Sequence, residues 1–222
     1  IWGMETNYGL YKPGYSAVTA LATLAYDPRR SEFFRAQLFD ALKILNEGHI
    51  SYERMMGSWA GAMGQSQFMP SSFVNYAEDF DGDGRRDIWT TEADVFASIA
   101  NYLAKHGWRD DHFWGRQVSL PEGFQEKVLG LMPEEPKGCL ALRRNHTERM
   151  SLPEWNAMGI RRLNGAELPD RPDIKASLVQ PDMHSFGESP SFLAYPNYRA
   201  LLSYNCADKY AIAVGTLAEA IK

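Results

Sequence analysis

Residues 57–72 read GSWAGAMGQSQFMPSS, a stretch that combines small residues with uncharged polar and aromatic ones. The small residues let two backbone segments, or a backbone and a flat ligand, approach closely. Ser58, Gln65 and Gln67 offer hydrogen-bonding groups without charge, and Phe68 offers apolar surface. This combination suits the hydroxyls, acetamides and ring faces of sugars. Tight packing of helices at glycines is the alternative, and the spacing alone does not decide between them.

The flanking sequence has the periodicity of helices. Residues 16–26 are rich in Ala and Leu, and residues 31–47 begin with a capping serine and end before a glycine. Residues 91–106 place apolar side chains at helical spacing after a Thr91-x-x-Asp94 capping box. The first half of the chain is therefore expected to be helical.

A candidate cation site follows the small-residue stretch. Acidic residues alternate along residues 79–83 and are followed by Gly84, the arrangement of an EF-hand calcium loop. Position 12 of this loop is Thr90 instead of Glu, so Glu92 or Asp94 would have to supply the carboxylate that closes the loop around the ion. An acidic surface turn is the alternative. Because only one such loop is present, an ion would act as a structural clamp. The candidate metal residues are Asp79, Asp81, Asp83, Arg85 and Asp94.

The N-terminal segment sets one carboxyl group, that of Glu5, among apolar and aromatic neighbours. On a continuous helix, Ile1, Glu5 and Tyr8 would share a face. A carboxyl group in such surroundings is costly to ionise, which suits a general acid at neutral pH. The alternative is an ordinary helix glutamate that reaches solvent.

The second half of the chain differs from the first in composition, since nine of the twelve prolines fall after residue 120. They limit helices to short pieces near residues 121–131 and 153–158, and strand-like sequence occurs at 176–180 and 191–195. Toward the C-terminus an Ala-rich helical pattern returns.

These patterns predict an α+β fold that is mostly α. We expect a helical core over residues 1–116 that includes the EF-hand-like loop 79–94, a small mixed α/β lobe over 117–198, and a C-terminal helix over 199–222 that packs back on the core.

Composition excludes several classes of protein. Hydrophobic residues make up 45% of the 222 and aromatic residues 13%, which excludes a disordered chain. No apolar run approaches the roughly 20 residues that span a bilayer. The net charge of −5 offers no general cationic surface, so nucleic acid is not an expected partner. The two cysteines, Cys139 and Cys206, match no short metal or redox spacing, and their pairing stays open.

Four motifs taken together resemble the lytic murein transglycosylase B family of bacterial cell-wall enzymes. They are Trp2 to Gly9, the small-residue stretch at 57–72, the acidic run at 79–84, and Tyr204-Asn205. They occur in the family's order along nearly the whole chain. The resemblance implies a lysozyme-like helical core.

The resemblance also implies roles for individual residues. Glu5 would be the single catalytic acid and base, and Ser58 and Gln67 would bind the sugar at the scissile bond. The family's metal loop ends with an Asp eight residues before a tyrosine that matches Tyr102, and Asp94 keeps that spacing. Compared with the family, this sequence has one extra residue between the Asp-Gly turn and Asp94. Further residues match positions that shape the glycan cleft, with core tyrosines and a helix-start asparagine as the alternative: Tyr102, Tyr204, Asn205 and Tyr210.

The implied activity is non-hydrolytic cleavage of the MurNAc-β-1,4-GlcNAc bond, which leaves 1,6-anhydroMurNAc ends. No cofactor is expected for the chemistry, and Ca²⁺ would be structural. The partners would be peptidoglycan strands and other cell-wall enzymes, the protein would be a monomer, and the location would be the periplasm, with a lipid on a segment preceding Ile1 as an outer-membrane anchor. A hydrolytic muramidase and a non-catalytic, calcium-stabilised glycan-binding protein are the alternatives.

Overall fold

A computed structural model of the chain describes residues 1–135, 137–181 and 189–221. The chain divides into two compact units, Ile1–Tyr102 and Leu103–Lys222. The sequence predicted the first boundary after residue 116. No helix within the described ranges is long and apolar enough to cross a membrane.

The first unit is mainly helical, with a two-stranded antiparallel ladder in which Tyr15 pairs with Gly57 and Ser16 with Met56. Its elements are α1 (Trp2–Thr6), β1 (Tyr15–Ser16), α2 (Ala17–Tyr26), α3 (Ser31–Asn46), a 3-10 turn (Tyr52–Arg54), β2 (Met56–Gly57), α4 (Pro70–Tyr76) and most of α5 (Glu92–Lys105), which continues three residues past Tyr102.

The three longest helices of this unit form where the sequence predicts them. The Ser16 hydroxyl accepts a hydrogen bond from the Thr19 N–H and caps α2. The cap of α3 differs from the expectation, because Arg30 is the N-cap and Ser31 is already the first helical residue. Buried Leu21 of α2 and Ile44 of α3 contribute to the core, where each such side chain stabilises the fold by about 1.5–3 kcal/mol.

The second unit contains a five-stranded antiparallel sheet in the order β4-β6-β7-β3-β5. Its elements are β3 (Gly115–Ser119), α6 (Gln125–Val128), a 3-10 turn (Leu129–Leu131), α7 (Leu140–Asn145), β4 (Met150–Ser151), α8 (Leu152–Ala157), β5 (Arg161–Arg162), β6 (Lys175–Val179), β7 (Ser191–Ala194), α9 (Pro196–Tyr204) and α10 (Asp208–Ala220).

The core of the second unit centres on Trp155, whose indole N–H donates to the Ala176 carbonyl at 3.0 Å. Leu178 of β6 and Leu193 of β7 are buried in the same cluster. Every residue of strands β6 and β7 except Lys175 is buried, so both faces of these strands are covered.

In the second unit, the C-terminal helices differ from the sequence prediction, and the pairing of the cysteines answers a question that the sequence left open. Pro196 does not break a helix but occupies the first turn of α9. The single helix predicted over 199–222 is interrupted at residues 205–207, between α9 and α10. Cys139 and Cys206 form a disulfide with a Cα–Cα distance of 6.1 Å, which the sequence left open. The prediction of an α+β fold that is mostly α is confirmed.

Candidate active site

Glu5 lies on α1, a helix of only five residues, and is half-buried. Its backbone N–H donates to the Ile1 carbonyl at 2.9 Å. The continuous helix that would align Glu5 with Tyr8 does not form, because α1 ends at Thr6. Contacts from outside the helix must therefore hold α1, since so short a helix is not stable alone.

A tight turn follows α1 and folds the chain back over it. Asn7, Tyr8 and Gly9 all have positive φ angles, of 50°, 58° and 76°. Left-handed backbone costs about 1–2 kcal/mol for each residue other than glycine, and such conformations concentrate at functional sites. The turn brings the Tyr8 ring against Gly3, where an added Cβ would lie 2.8 Å from Tyr8 Cζ.

Gln65 holds α1 from the small-residue stretch. Its Oε1 accepts a hydrogen bond from the indole N–H of Trp2 at 2.7 Å, and its backbone carbonyl accepts from the Thr6 hydroxyl at 3.2 Å. Its Nε2 donates to the carbonyl of Trp89 at 2.9 Å. The Gln65 amide thus supports α1. That Gln65 binds substrate stays a prediction.

Trp2 and Trp89 are the partners that the sequence analysis missed. An indole N–H usually finds an acceptor when it is buried, and Trp89 indeed donates to the Met56 carbonyl at 2.9 Å. The rule predicts that both indoles have a hydrogen-bond acceptor. It does not identify Gln65 as the acceptor for Trp2, because the two residues are 63 positions apart.

Ser58 and Gln67 occupy turns that the glycines make possible. The Ser58 hydroxyl accepts from the N–H groups of Ala60 and Ala62 at 3.3 and 3.1 Å, so its own proton remains available for donation. Gln67 has a φ of 51°, and its Nε2 donates to the Gly64 carbonyl at 2.8 Å. Both side chains are half-buried and belong to the same loop.

Phe68 and Tyr102 lie in the interior of the first unit. Phe68 is 2% exposed, Tyr102 is 7% exposed, and their ring centroids are 5.6 Å apart. Tyr76 meets Tyr102 edge-on at 4.8 Å. Burial, with a smaller effect of Tyr76, raises the pKa of Tyr102 to about 12. Trp59, which follows Ser58, is instead 68% exposed and offers the open aromatic surface of this loop.

Tyr204, Asn205 and Tyr210 come together in the second unit. Tyr204 ends α9, Asn205 follows it as C-cap, and Tyr210 lies in the first turn of α10. The two tyrosine rings are nearly parallel, with centroids 6.4 Å apart and an interplanar angle of 12°. Asn205 is exposed and both rings are partly exposed.

The structure brings together three of the candidate metal residues. One carboxylate oxygen from each of Asp79, Asp81 and Asp83 lies within 4.8 Å of the others. Asp79 also accepts hydrogen bonds from the N–H groups of Gly82, Asp83 and Gly84 at 2.8–3.1 Å. Converging carboxylates in a loop closed by its own backbone fit a hard cation such as Ca²⁺.

Arg85 and Asp94 contribute differently from the three aspartates. The Arg85 guanidinium contacts Asp83 Oδ2 at 2.6 Å and holds the pKa of that carboxyl below its ordinary value. Asp94 is 1% exposed, and its two oxygens accept from the N–H groups of Phe80 and Asp87 at 2.8 Å each. Asp94 therefore ties the two ends of the loop together. The capping box predicted between Thr91 and Asp94 does not form, because the Thr91 N–H donates to the Asp87 carbonyl and not to the Asp94 carboxylate.

The chain has clear relatives among known proteins. A family model described as Transglycosylase SLT domain matches residues 1–219. Membrane-bound lytic murein transglycosylase B of Escherichia coli strain K12 is 32% identical over 234 residues, which cover 100% of this chain and 55% of that protein.

Solved structures agree with these matches. SltB3 of Pseudomonas aeruginosa in complex with NAG-NAM-pentapeptide is similar with a TM-score of 0.86 at 45% identity, covering 99% of this chain and 54% of that one. Escherichia coli Slt35 in complex with calcium is similar with a TM-score of 0.76 at 30% identity, covering 99% and 63%. The chain spans about half the length of the first two relatives.

The helical first unit and these neighbours define a lysozyme-like fold of the lytic transglycosylase class, as the sequence predicted. The chain belongs to the transglycosylase SLT domain family. The resemblance to lytic murein transglycosylase B is confirmed.

Proposed function

We propose that this chain is a lytic transglycosylase that cleaves the MurNAc-β-1,4-GlcNAc bond of peptidoglycan without water. The observation that carries the proposal is the scarcity of acids on the segments that form the candidate active site. Residues 1–26 contain Glu5 as their single acid, and residues 54–77 contain none. Most hydrolytic glycosidases need a second carboxylate as nucleophile or as base for water.

The relatives support the same chemistry. Structures of SltB3 have been solved with NAG-NAM-pentapeptide and with NAG-anhNAM-pentapeptide, and this chain is 45% and 44% identical to that protein in the two comparisons. A MurNAc residue and its anhydro form differ by the water that hydrolysis would add. We infer that this chain takes the same class of glycan.

The reaction needs one group that first gives and then takes a proton. The Glu5 carboxyl would protonate the glycosidic oxygen, so that the bond to MurNAc C1 breaks and GlcNAc leaves with a C4 hydroxyl. The Glu5 carboxylate would then accept the proton of the MurNAc C6 hydroxyl as its oxygen bonds to C1. This closes the 1,6-anhydro ring and returns Glu5 to its acid form. The MurNAc N-acetyl group would stabilise the cationic C1 between the two steps.

Ser58, Gln67 and Trp59 are suited to bind the sugar beside Glu5. The free proton of the Ser58 hydroxyl and the Gln67 carboxamide can hydrogen-bond a hydroxyl or an acetamide, and the exposed Trp59 ring can stack on a sugar face. We propose that Tyr204, Asn205 and Tyr210 also contact the glycan. Phe68 and Tyr102 act by packing, because both are buried.

The decisive experiment is mass spectrometry of the soluble fragments released from purified peptidoglycan. The wild-type protein should release fragments that end in 1,6-anhydroMurNAc, which are lighter by one water than hydrolysis products. Glu5→Gln should keep the fold, judged by circular dichroism, and should release no fragments. Fragments with reducing ends would instead identify a hydrolytic muramidase. Glycan binding without any release would identify a binding protein.

We further propose that the loop at residues 79–94 holds a structural Ca²⁺ through Asp79, Asp81 and Asp83. The convergence of their three carboxylates supports this, because like charges at short distance repel and the single positive charge of Arg85 offsets only part of theirs. The ion would stabilise the loop, and the proton transfers at Glu5 do not require it.

The substrate suggests the setting in which the protein works. Peptidoglycan of a Gram-negative cell lies in the periplasm, and we propose that location for the protein. Monomeric action and association with other cell-wall enzymes remain part of this proposal.

A further inference from the structure

The turn between α9 and α10, residues 205–207, is held by one short helix, α7. The two ends of α7 contact Cys206, within the turn, and Asp208, directly after it. At the start of α7, Cys139 is joined to Cys206 by the disulfide, and the Ala141 N–H donates to Cys206 Sγ at 3.3 Å. At the other end, Asn145 and His146 both reach Asp208, the first residue of α10. We call Cys139, Asn145 and His146 the α7 clasp.

Asp208 is the most constrained member of this arrangement. It is 4% exposed, and its Oδ2 accepts from Asn145 Nδ2 at 2.7 Å. Its Oδ1 lies 2.9 Å from His146 Nε2 and accepts from the Tyr198 hydroxyl at 3.0 Å. A buried carboxylate is tolerated only when its oxygens are hydrogen-bonded. The orientation of this side chain, and of the helix turn that carries it, is therefore determined by α7 and α9.

Electrostatics support the same conclusion. Burial raises the pKa of Asp208, but the hydrogen bonds from His146 and Asn145 outweigh burial and keep the pKa below its ordinary value. The carboxylate form is thus stabilised by the clasp. Removing one partner from such a buried charge is costly, because the charge is left without compensation.

The clasped turn contains Asn205 and lies between Tyr204 and Tyr210, the other two residues proposed to bind glycan in this unit. Tyr204 and Asn205 immediately precede Cys206, and Tyr210 follows Asp208 by two residues. The stacked arrangement of Tyr204 and Tyr210 requires the end of α9 and the start of α10 to keep their relative position. The disulfide and Asp208 lie between these two rings in the sequence and anchor both helix ends.

We propose that the α7 clasp is a positioning device that preorganises Tyr204, Asn205 and Tyr210 for glycan binding. This inference rests on the proposed function in that it takes those three residues to contact the substrate. A preformed wall binds more tightly because the entropy of ordering it is not lost on binding. The clasp residues themselves need not touch the sugar.

The test compares three variants in the presence and absence of a phosphine reductant. Cys139→Ser/Cys206→Ser removes the disulfide, and Asp208→Asn keeps the shape of the side chain but changes its hydrogen bonding. Leu168→Ala is the matched control, because it opens a cavity in the core of the same unit on the loop between β5 and β6. All assays are run well below the unfolding midpoint of each variant.

Three quantities are measured with a GlcNAc-MurNAc tetrasaccharide: KM and kcat in the active protein, and Kd by calorimetry with Glu5→Gln as background. Both clasp variants should raise KM and Kd about tenfold and change kcat by less than about twofold, the pattern of lost substrate binding. Reductant should raise the wild-type KM in the same way and leave the double serine variant unchanged. Leu168→Ala should lower the unfolding midpoint and leave KM and Kd unchanged.

The inference is overturned if the clasp variants lower the unfolding midpoint but keep the wild-type Kd, since the clasp would then only stabilise the unit. A fall in kcat at constant KM also overturns it, because the turn would then act in the chemical step. The calorimetric arm keeps this test separate from the proposed function. A wild-type protein that yields reducing ends contradicts the transglycosylase reaction, whereas the Kd values still decide the role of the clasp.

Discussion

The indole N–H of Trp2 and the side-chain carbonyl of Gln65 form a 2.7 Å hydrogen bond across 63 residues of sequence. Trp2 begins α1, and Glu5 follows it by three residues. The same Gln65 side chain donates to the carbonyl of Trp89. One amide therefore connects the helix that carries the proposed acid to two further segments of the unit. Because α1 is too short to hold its own geometry, this bridge sets where the Glu5 carboxyl lies.

Gln65→Leu should impair catalysis more than substrate binding. The substitution leaves the Trp2 indole and the Trp89 carbonyl without their partner, which should lower the free energy of unfolding by about 1–3 kcal/mol. A small displacement of α1 should lower kcat by about tenfold to a hundredfold, since proton transfer is sensitive to position. KM should change little. Steady-state kinetics and urea unfolding measure these effects.

The control for this prediction is Trp2→Phe, which removes the donor from the same hydrogen bond. In a double-mutant cycle, Trp2→Phe and Gln65→Leu should be clearly non-additive in kcat. A Gln65→Leu protein with wild-type kcat and raised KM would contradict the prediction and return Gln65 to the substrate-binding role that the sequence suggested.

Gly3→Ala should destabilise the first unit and reduce activity. The new Cβ would lie 2.8 Å from Tyr8 Cζ, so the ring that covers α1 would have to move. Overpacking in a core costs about 1–3 kcal/mol, and the lower end of this range is expected here because Tyr8 is 42% exposed. Gly14→Ala is the matched control, because nothing lies within 4 Å of its added Cβ. Thermal unfolding that shows equal midpoints for the two variants would mean that Tyr8 yields without cost.

Local patterns predicted the parts of the fold that depend on local sequence. α2, α3 and α5 follow from apolar periodicity and from the residues that end them, and β6 and β7 follow from short strand-like stretches. Strand β3 contains Arg116 and Gln117, and its pairing with β7 spans about 75 residues, so no local pattern reveals it. The first residues of α9 were missed because Pro196 reads as a helix breaker until its place at the helix start is known.

In the candidate site, too, the sequence predicted the features that depend on local motifs and missed those that depend on distant contacts. Glu5 and the aspartates at 79–83 belong to motifs of consecutive residues, which sequence comparison can recognise. The role of Gln65 in supporting α1, the role of Asp94 in joining the loop ends and the contact of α7 with Asp208 all depend on hydrogen bonds between distant segments. Residue type predicted that these side chains seek polar partners, and only the fold determines which ones.

Calcium should raise the unfolding midpoint, and Asp81→Asn should remove most of this effect. An ion that binds the folded state alone stabilises it by about 2.7 kcal/mol at a concentration 100 times its Kd. Asp81 supplies one of the three converging carboxylates, whereas Glu78 is an exposed acid just outside the cluster. Glu78→Gln is therefore the matched control and should keep the full shift. Differential scanning calorimetry with calcium and with a chelator measures the shifts, and an equal calcium shift in both variants would exclude this site.

The stability of the loop region should decrease on mild acidification because of His49. This buried side chain accepts a hydrogen bond from the Arg86 N–H at Nδ1, 3.2 Å away, which requires a neutral ring nitrogen. Burial, with a smaller effect of the Arg86 charge, lowers the pKa of His49 below its ordinary value. The unfolded chain therefore binds a proton more readily than the folded one as the pH falls through about 6.5, and the free energy of unfolding falls with it.

His49→Asn should reduce this pH dependence. Asn offers a carboxamide oxygen near the position of Nδ1 and does not titrate, so the variant should lose less stability between about pH 7.5 and pH 5.5, where the ordinary carboxylates stay ionised. Urea unfolding in the presence of a chelator, which keeps the acidic loop free of cations, measures the difference at each pH. A wild-type slope in His49→Asn would assign the acid sensitivity to other groups, because the proton taken up on unfolding would not then be that of His49.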